Sequence, residues 1–371
     1  MRICFVTHAS NYHSRKWVGW FVSRGHEVHV ISFAYEDLPG ATVHSLASKV
    51  KTNDSDLKKL GYLTQAGRLR KLIREIKPDI INVHYASSYG TLAALSGIRG
   101  YILSVWGLDV YEFPRKSILH REALKFSLAR ARYLFSTSRA MAKEASQYTR
   151  KKFMITPFGV DMSLFNPDKR NRQADDTDFV IGTVKALTPK YGIDVLLKAA
   201  AIVAQKRPDI RLRLRITGKG PFEEEYKELA GTLGIDDITT WLGFIPQEDA
   251  AREWANMDIA LVPSVDESES FGVSAVEAQA SGTPVVISDI PGLMEATKPG
   301  YSSLVVKRGS EEELAGAVID LYDSPRERAR LAENGRAYVK KHYDLDDCFE
   351  KIEKFFLKKC GQEEKSAGRD K

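Results

Sequence analysis

The chain has 371 residues, 43% of them apolar and 28% charged, with a formal net charge of +6. That length supports two domains with their own cores, and the composition is that of a soluble globular chain rather than a disordered, fibrous or disulfide-stapled one. No apolar run reaches the roughly 18 residues of a membrane span. Met1–Thr7 is too short and too soon polar for a secretory signal. Cys4, Cys348 and Cys360 have neither metal-ligand nor disulfide spacing, which fits a reducing, cytoplasmic setting.

In chain order, Arg2–Thr7 reads as a compact apolar strand and Lys16–Arg24 as a helix stopped by Gly25. Glu27–Ser32 is a second strand. Leu57–Ile76 has helical spacing up to Pro78. Asp79–His84 and Tyr101–Trp106 are short buried strands, Arg121–Ala131 is helical and Tyr133–Ser136 is again strand-like. A charged stretch, 166–176, has the character of a linker. The pattern then restarts: strand Phe179–Thr183, helix Gly192–Gln205, strand Arg211–Thr217, helix Phe222–Leu233, strand Thr239–Leu242, helix Gln247–Asn256 and strand Ile259–Pro263. Strand Val285–Ser288 and helix Glu311–Tyr322 follow, Arg326–Lys359 is expected to be wholly helical, and 361–371 to be a frayed tail. Strands alternating with helices predict two α/β domains, 1–167 and 168–339, each a parallel sheet covered on both faces, with ligands beyond the carboxyl ends of the strands in a cleft.

Charge divides along the same line. Residues 1–167 hold 25 Lys and Arg against 12 Asp and Glu, whereas residues 168–371 hold 30 against 37. A basic first half meets something anionic, such as a lipid surface or a phosphorylated carrier, or is simply solvated surface. Nucleic acid is a poor candidate, because aromatic–basic interleaving and a helix-turn-helix pattern are both missing. A nicotinamide-dependent oxidoreductase is disfavoured as well, since neither half opens with G-x-G-x-x-G after its first strand.

The densest chemistry lies in Glu269-Ser270-Phe271-Gly272-Val273-Ser274-Ala275-Val276-Glu277, where two carboxylates stand eight positions apart across a turn and the first turns of a helix. Free backbone N–H groups near Phe271 and Gly272 can hold an anion, with a carboxylate on either side to take hydroxyl donors. A nucleotide sugar has that layout of hydroxyls, diphosphate and ribose. Lys185 and Lys190 flank a strand-to-helix turn ending at Gly192 and can clamp phosphate, or else are solvated. Gly218 and the Gly243-Phe244 pair lie in post-strand turns able to meet a base, or are ordinary turns. In the first half, His13, His84, Trp106 and Asp109 stand at or after strand ends and suit an acceptor with hydroxyls. A lone histidine is more often structural, and Asp109 is equally a turn cap.

The order of these pieces resembles the retaining nucleotide-sugar glycosyltransferases of family 4, in glycosyltransferase group 1, with the GT-B fold. The likeness spans nearly the whole chain and is densest from Ile181 to Val306. Glu269, Phe271, Gly272, Glu277, Ala278, Gly282, Pro284 and Val285 match the E-x7-E motif and its sequel, Lys190 matches the phosphate-loop lysine, and Lys185 falls where many members have arginine. Ile216–Pro221, Phe158–Asp161 with Phe165 and Pro167, and Asp258 with Pro263-Ser264 match further stretches. Trp106 stands where many members place a histidine, and Ala9-Ser10-Asn11 replaces a frequent glycine pair.

The resemblance implies two Rossmann-like domains facing across a cleft, with a helix at about 340–360 crossing back to the first. It implies transfer of a hexosyl-type unit with retained configuration from a nucleoside diphosphate sugar, UDP foremost and GDP or ADP next, to a sugar or lipid-linked acceptor. Glu269 would hold sugar hydroxyls and Glu277 ribose hydroxyls. Lys185, Lys190 and the backbone of Ser270, Phe271, Gly272 and Val273 would stabilise the diphosphate, with no metal and no other cofactor. The placing would be cytoplasmic, peripheral to the inner face of a membrane if the basic half meets anionic lipid. The alternative is a GT-B relic that binds nucleotide or lipid without turnover, for which Trp106 is the best support.

Overall fold

The computed structural model describes residues 1–46, 60–173 and 177–367. The chain packs as two units: Met1–Pro157 together with the chain from Phe349 on, and Phe158–Cys348. The division falls before the polar linker at which the sequence placed it. The reason is aromatic packing: Phe158 meets Phe271 edge-on at 6.1 Å and Phe271 meets Tyr343 at 5.2 Å, tying 158 onward to the second unit.

The first unit holds a seven-stranded, wholly parallel sheet in the order β3-β2-β1-β4-β5-β6-β7. Its strands are β1 Arg2–Val6, β2 Glu27–Ser32, β3 Ala41–Ser45, β4 Ile80–His84, β5 Ile102–Val105, β6 Tyr133–Ser136 and β7 Phe153–Ile155. The second unit holds six parallel strands in the order β10-β9-β8-β11-β12-β13. These are β8 Phe179–Val184, β9 Leu212–Thr217, β10 Thr239–Gly243, β11 Ile259–Val262, β12 Val285–Ser288 and β13 Ser303–Val306. In each sheet the order reverses once, between β1 and β4 and between β8 and β11. The loops leaving those strands are where an open α/β sheet presents ligands.

Several elements differ from the sequence reading. The first helix begins at Tyr12 rather than Lys16, because the Asn11 side chain accepts the backbone N–H groups of His13 at 2.9 Å and Ser14 at 3.4 Å and so caps it. The long helix ending at Ile76 is a 3-10 turn, Leu60–Gln65, followed by Ala66–Ile76, while 57–59 lie outside the described residues. Arg326–Lys359 is not one helix but two, Pro325–Tyr343 and Leu345–Ala367. The chain breaks at Asp344, where Val160 donates to Tyr343 O at 2.8 Å and Leu345 donates to Val160 O at 3.0 Å. Asp344 then restarts the helix by accepting the Asp346 N–H at 3.0 Å. The last helix runs past the expected Lys359 limit, through the first part of the 361–371 tail.

From Phe349 that helix belongs to the first unit. Phe349 meets Trp17 edge-on at 5.0 Å, and Phe356 stacks on Phe21 at 5.3 Å. Glu353 accepts His26 Nε2 at 2.7 Å and Arg24 at 3.3 Å. Apolar burial on one face and the Arg24 and His26 contacts of Glu353 at its edge fix the helix along that unit.

Candidate active site

Four post-strand segments of the second unit converge at the switch point. After β8, the backbone N–H of Lys185 bonds Thr217 O at 2.8 Å and that of Leu187 bonds Lys219 O at 3.1 Å, laying this loop against the one after β9. Gly218 sits at φ 137°, and a Cβ there would strike the Lys185 carbonyl, so only glycine permits the approach. Its N–H bonds Gly243 O at 2.8 Å, which joins the two turns the sequence singled out separately. Phe244 projects beyond them, 76% exposed.

The segment after β11 carries the carboxylate motif. Glu269 Oε2 lies 2.8 Å from Lys185 Nζ, with 9% and 11% of the two side chains exposed. Its other oxygen accepts the Gly272 N–H at 3.1 Å. Gly272 itself is left-handed, φ 73°, and a Cβ there would come within 2.7 Å of Leu293 Cδ2. Glycine therefore lets the chain turn into helix Val273–Ala280 with Glu269 folded back over its start. Ser274 anchors that start to Val184 O at 3.0 Å. Lys190 reaches Ser268 Oγ at 3.3 Å. The structure thus brings Lys185 and the Gly272 amide onto the Glu269 carboxylate, with Lys190 on the neighbouring Ser268: two cations and a positive helix end able to hold an anion beside a carboxylate that takes hydroxyl donors.

The other donor-side residues have separate places. Ser270 is 7% exposed, and Phe271 is 3% exposed with its ring against Phe158 and Tyr343, so it anchors the turn and offers a ligand its backbone only. Val273 opens the helix and is half-buried. Glu277 is 7% exposed, one turn further along the same helix.

In the first unit, the candidates fall into a layered aromatic cluster. His84 is fully buried, with Nδ1 at 3.1 Å from Thr7 Oγ1 and Nε2 at 3.2 Å from Asn82 Oδ1. Burial holds its pKa down at about 3. Both ring nitrogens are engaged, so His84 is a neutral structural residue and not the acceptor contact expected of it. Trp106 covers it, ring centroids 4.3 Å apart. His13, on the first turn of helix Tyr12–Ser23, meets Trp106 edge-on at 6.2 Å and stays half-buried beside it.

Asp109, 1% exposed, is likewise a turn clamp instead of an acceptor contact. Its carboxylate accepts the N–H groups of Gly107 and Ala86 at 2.8 Å each and of Trp106 at 3.1 Å. Burial pushes its pKa up, and those backbone donors pull against the rise.

Three residues were missed. Tyr191 lies under both lysines, with Lys185 Nζ 4.5 Å and Lys190 Nζ 4.8 Å from its ring centroid. An aromatic beside two loop lysines was the available signal. Ser268 anchors Lys190 but has no sequence signature. Tyr85 adopts φ 72° at the end of β4 and sits edge-on to Trp106 at 5.7 Å. A bulky residue held there marks strain that local packing over-determines, and no sequence pattern announces it. No cluster of three or more His, Cys, Asp or Glu able to hold a metal occurs among the described residues.

The family described as Glycosyl transferases group 1 matches residues 165–338, and that described as Glycosyl transferase 4-like matches residues 2–138. The chain is 31% identical over 336 residues to the D-inositol 3-phosphate glycosyltransferase of Pseudarthrobacter chlorophenolicus, covering 81% of this chain and 76% of that protein. Its structure is similar to sucrose-phosphate synthase from Thermosynechococcus elongatus, with a TM-score of 0.81 and 19% identity over 96% of this chain and 98% of that one. It is also similar to Anabaena HepE, determined in complex with UDP-glucose, with a TM-score of 0.78 and 18% identity over 96% and 100%. Two parallel-sheet domains with these neighbours define a GT-B fold. The chain belongs to the group 1 glycosyltransferases, and its enzymatic class is glycosyl transfer.

Proposed function

We propose that the protein moves a hexosyl-type unit from a nucleoside diphosphate sugar to an acceptor hydroxyl with retention of anomeric configuration and without a metal. The observation that carries this is Lys185 paired with Glu269, which takes the Gly272 amide, and Lys190 held beside them on Ser268 and the Tyr191 ring. In this reading the anomeric carbon–oxygen bond to the diphosphate breaks as the acceptor oxygen bonds the same carbon on the same face. The acceptor proton passes to the departing phosphate oxygen. Lys185, Lys190 and the start of helix Val273–Ala280 take up the charge that develops on the diphosphate, the electrostatic contribution that matters most in such chemistry. Glu269 receives sugar hydroxyls and Glu277 ribose hydroxyls. UDP is the first choice of carrier, supported by the UDP-glucose held by HepE, with GDP and ADP as alternatives. The acceptor in this reading is a sugar or lipid-linked hydroxyl and the role glycan or glycolipid biosynthesis; the relative named for D-inositol 3-phosphate supports a polyhydroxylated acceptor.

A panel of UDP-, GDP- and ADP-sugars tests this without an acceptor. One donor should release its nucleoside diphosphate slowly, at a rate unchanged by a chelator, and proton NMR of the transfer product should show the anomer of the donor. Tight nucleotide binding with no release from any donor favours the second reading, a GT-B relic. Trp106, standing where many family members place a histidine and tilted against a buried His84, is the observation on that side.

The basic balance of the first half supports a cytoplasmic enzyme working at an anionic membrane face. Among the described residues no helix is long and apolar enough to cross a membrane. The first unit does expose two adjacent apolar residues, Ile118 at 73% and Leu119 at 81%. Arg115, Lys116 and Arg121 are exposed around them, against Glu112 and Glu122. An exposed apolar pair with Lys116, Arg121 and Arg115 near it in sequence, Arg115 paired with Glu144 at 3.1 Å, suits an anionic bilayer surface.

A further inference from the structure

We infer that Tyr191 is the positioning residue that holds Lys185 and Lys190 as one diphosphate clamp; the inference rests on the nucleotide-sugar reading and deepens it. One ring serves both ammonium groups, at 4.5 Å and 4.8 Å from its centroid. Lys190 is half-buried like Tyr191, and about nine-tenths of the Lys185 side chain is covered. Two like charges brought together repel, and each is independently drawn elsewhere, Lys185 to Glu269 at 2.8 Å and Lys190 to Ser268 at 3.3 Å. The negative face of an aromatic ring offsets that repulsion without neutralising either cation.

The backbone fixes the ring in place. Tyr191 ends a 3-10 turn, Pro189–Tyr191, and its N–H bonds Thr188 O at 3.1 Å. Gly192 follows in the left-handed conformation, φ 65°, where a Cβ would strike the Pro263 carbonyl. The next tie, Val265 N–H to Lys190 O at 2.9 Å, binds the turn to the segment leading to Glu269. The contacts therefore form a closed series: Gly272 amide, Glu269, Lys185, Tyr191, Lys190 and Ser268, which lies next to Glu269 in the chain. Removing the ring opens it between the two cations.

The test compares Tyr191→Phe, which keeps the aromatic face, with Tyr191→Leu, which keeps apolar bulk and loses it. Calorimetric titrations use UDP, GDP and ADP, each paired with its nucleoside. Two cation–ring contacts correspond to a loss of about five- to thirty-fold in affinity. Tyr191→Leu should lose that much for the diphosphate that wild type binds and keep the nucleoside affinity, while Tyr191→Phe should stay within about two-fold of wild type. In proton NMR the ε-methylene signals of Lys185 and Lys190 should lose their ring-current shift in Tyr191→Leu only. Wild type that binds none of the three diphosphates overturns the donor reading and the inference with it. Wild type that binds one, with Tyr191→Leu binding it equally or losing the nucleoside in proportion, overturns the inference alone.

Discussion

Lys185 Nζ sits 2.8 Å from Glu269 Oε2, and Glu269 Oε1 takes the Gly272 amide at 3.1 Å, so one carboxylate bridges the loop after β8 and the helix that follows the β11 loop. With about nine-tenths of both side chains covered, the pair is too buried to be a screened surface contact. Glu269→Ala leaves a covered ammonium with only the Tyr191 ring and orphans the Gly272 N–H. It should cost about 1–3 kcal/mol of stability by urea unfolding. It should also abolish most turnover. Lys190→Ala breaks a 3.3 Å contact to Ser268 Oγ and a cation–ring contact with Tyr191, both made from a half-buried position, so its unfolding midpoint should move little while turnover falls about 10²–10³-fold. Wild-type turnover in Lys190→Ala removes that lysine from the chemistry.

The same division between chemistry and scaffold applies to Asp109. Three backbone N–H groups, from Ala86, Trp106 and Gly107, point at its carboxylate. Asn offers one acceptor oxygen and turns an amino group toward donors that cannot receive it. Asp109→Asn should therefore lower stability by about 1–3 kcal/mol. Thermal unfolding measures it, and an unchanged midpoint would show the clamp to be dispensable.

The buried His84 makes acid stability a readout of the first unit. Its pKa is depressed to about 3 in the fold, against about 6.5 in an unfolded chain. The unfolded state therefore takes up a proton that the folded state refuses. The contribution from neutral His84 is complete above about pH 6.5 and is lost as pH falls toward about 3, at roughly 1.4 kcal/mol per pH unit. His84→Gln, which cannot be protonated, should flatten the stability-versus-pH curve by about one proton between pH 6 and pH 4. Parallel curves for the two proteins would contradict neutral burial.

How much of this was legible in the sequence follows from how local each cause is. Lys185, Lys190, Glu269 and Gly272 were readable because a strand-to-helix turn needs particular residue types at fixed spacing, and the fold brings them together. Glu277 was readable only as a helix position, one turn on in helix Val273–Ala280. Strands β3 and β13 escaped notice because Ala41–Ser45 and Ser303–Val306 are short and carry no clear alternation. The break at Asp344 was hidden because its cause is Val160, far away in sequence. His84 and Asp109 looked like ligand contacts because a polar residue at a strand end reads the same whether it faces solvent or closes a turn. Only Trp106 lying over one and three amides meeting the other decide between those. Tyr85 is the limiting case: its positive φ is set by surrounding packing, and tyrosine itself disfavours it.

The exposed pair Ile118 and Leu119 carries the last prediction. Vesicles of phosphatidylcholine with added phosphatidylglycerol should bind the protein, and plain phosphatidylcholine should bind it much less. Cations within a Debye length of the surface supply the attraction, so binding should fall steeply as salt rises from about 0.05 M to about 0.5 M. Ile118→Ser with Leu119→Ser removes the apolar contribution. Two aliphatic side chains entering the bilayer interface account for at least about a tenfold difference in partitioning. Both side chains project into solvent at the start of helix Ile118–Arg130, so the unfolding midpoint should not move. Partitioning that ignores salt, or that survives the double substitution, would separate the enzyme from the membrane and point to an acceptor that diffuses freely.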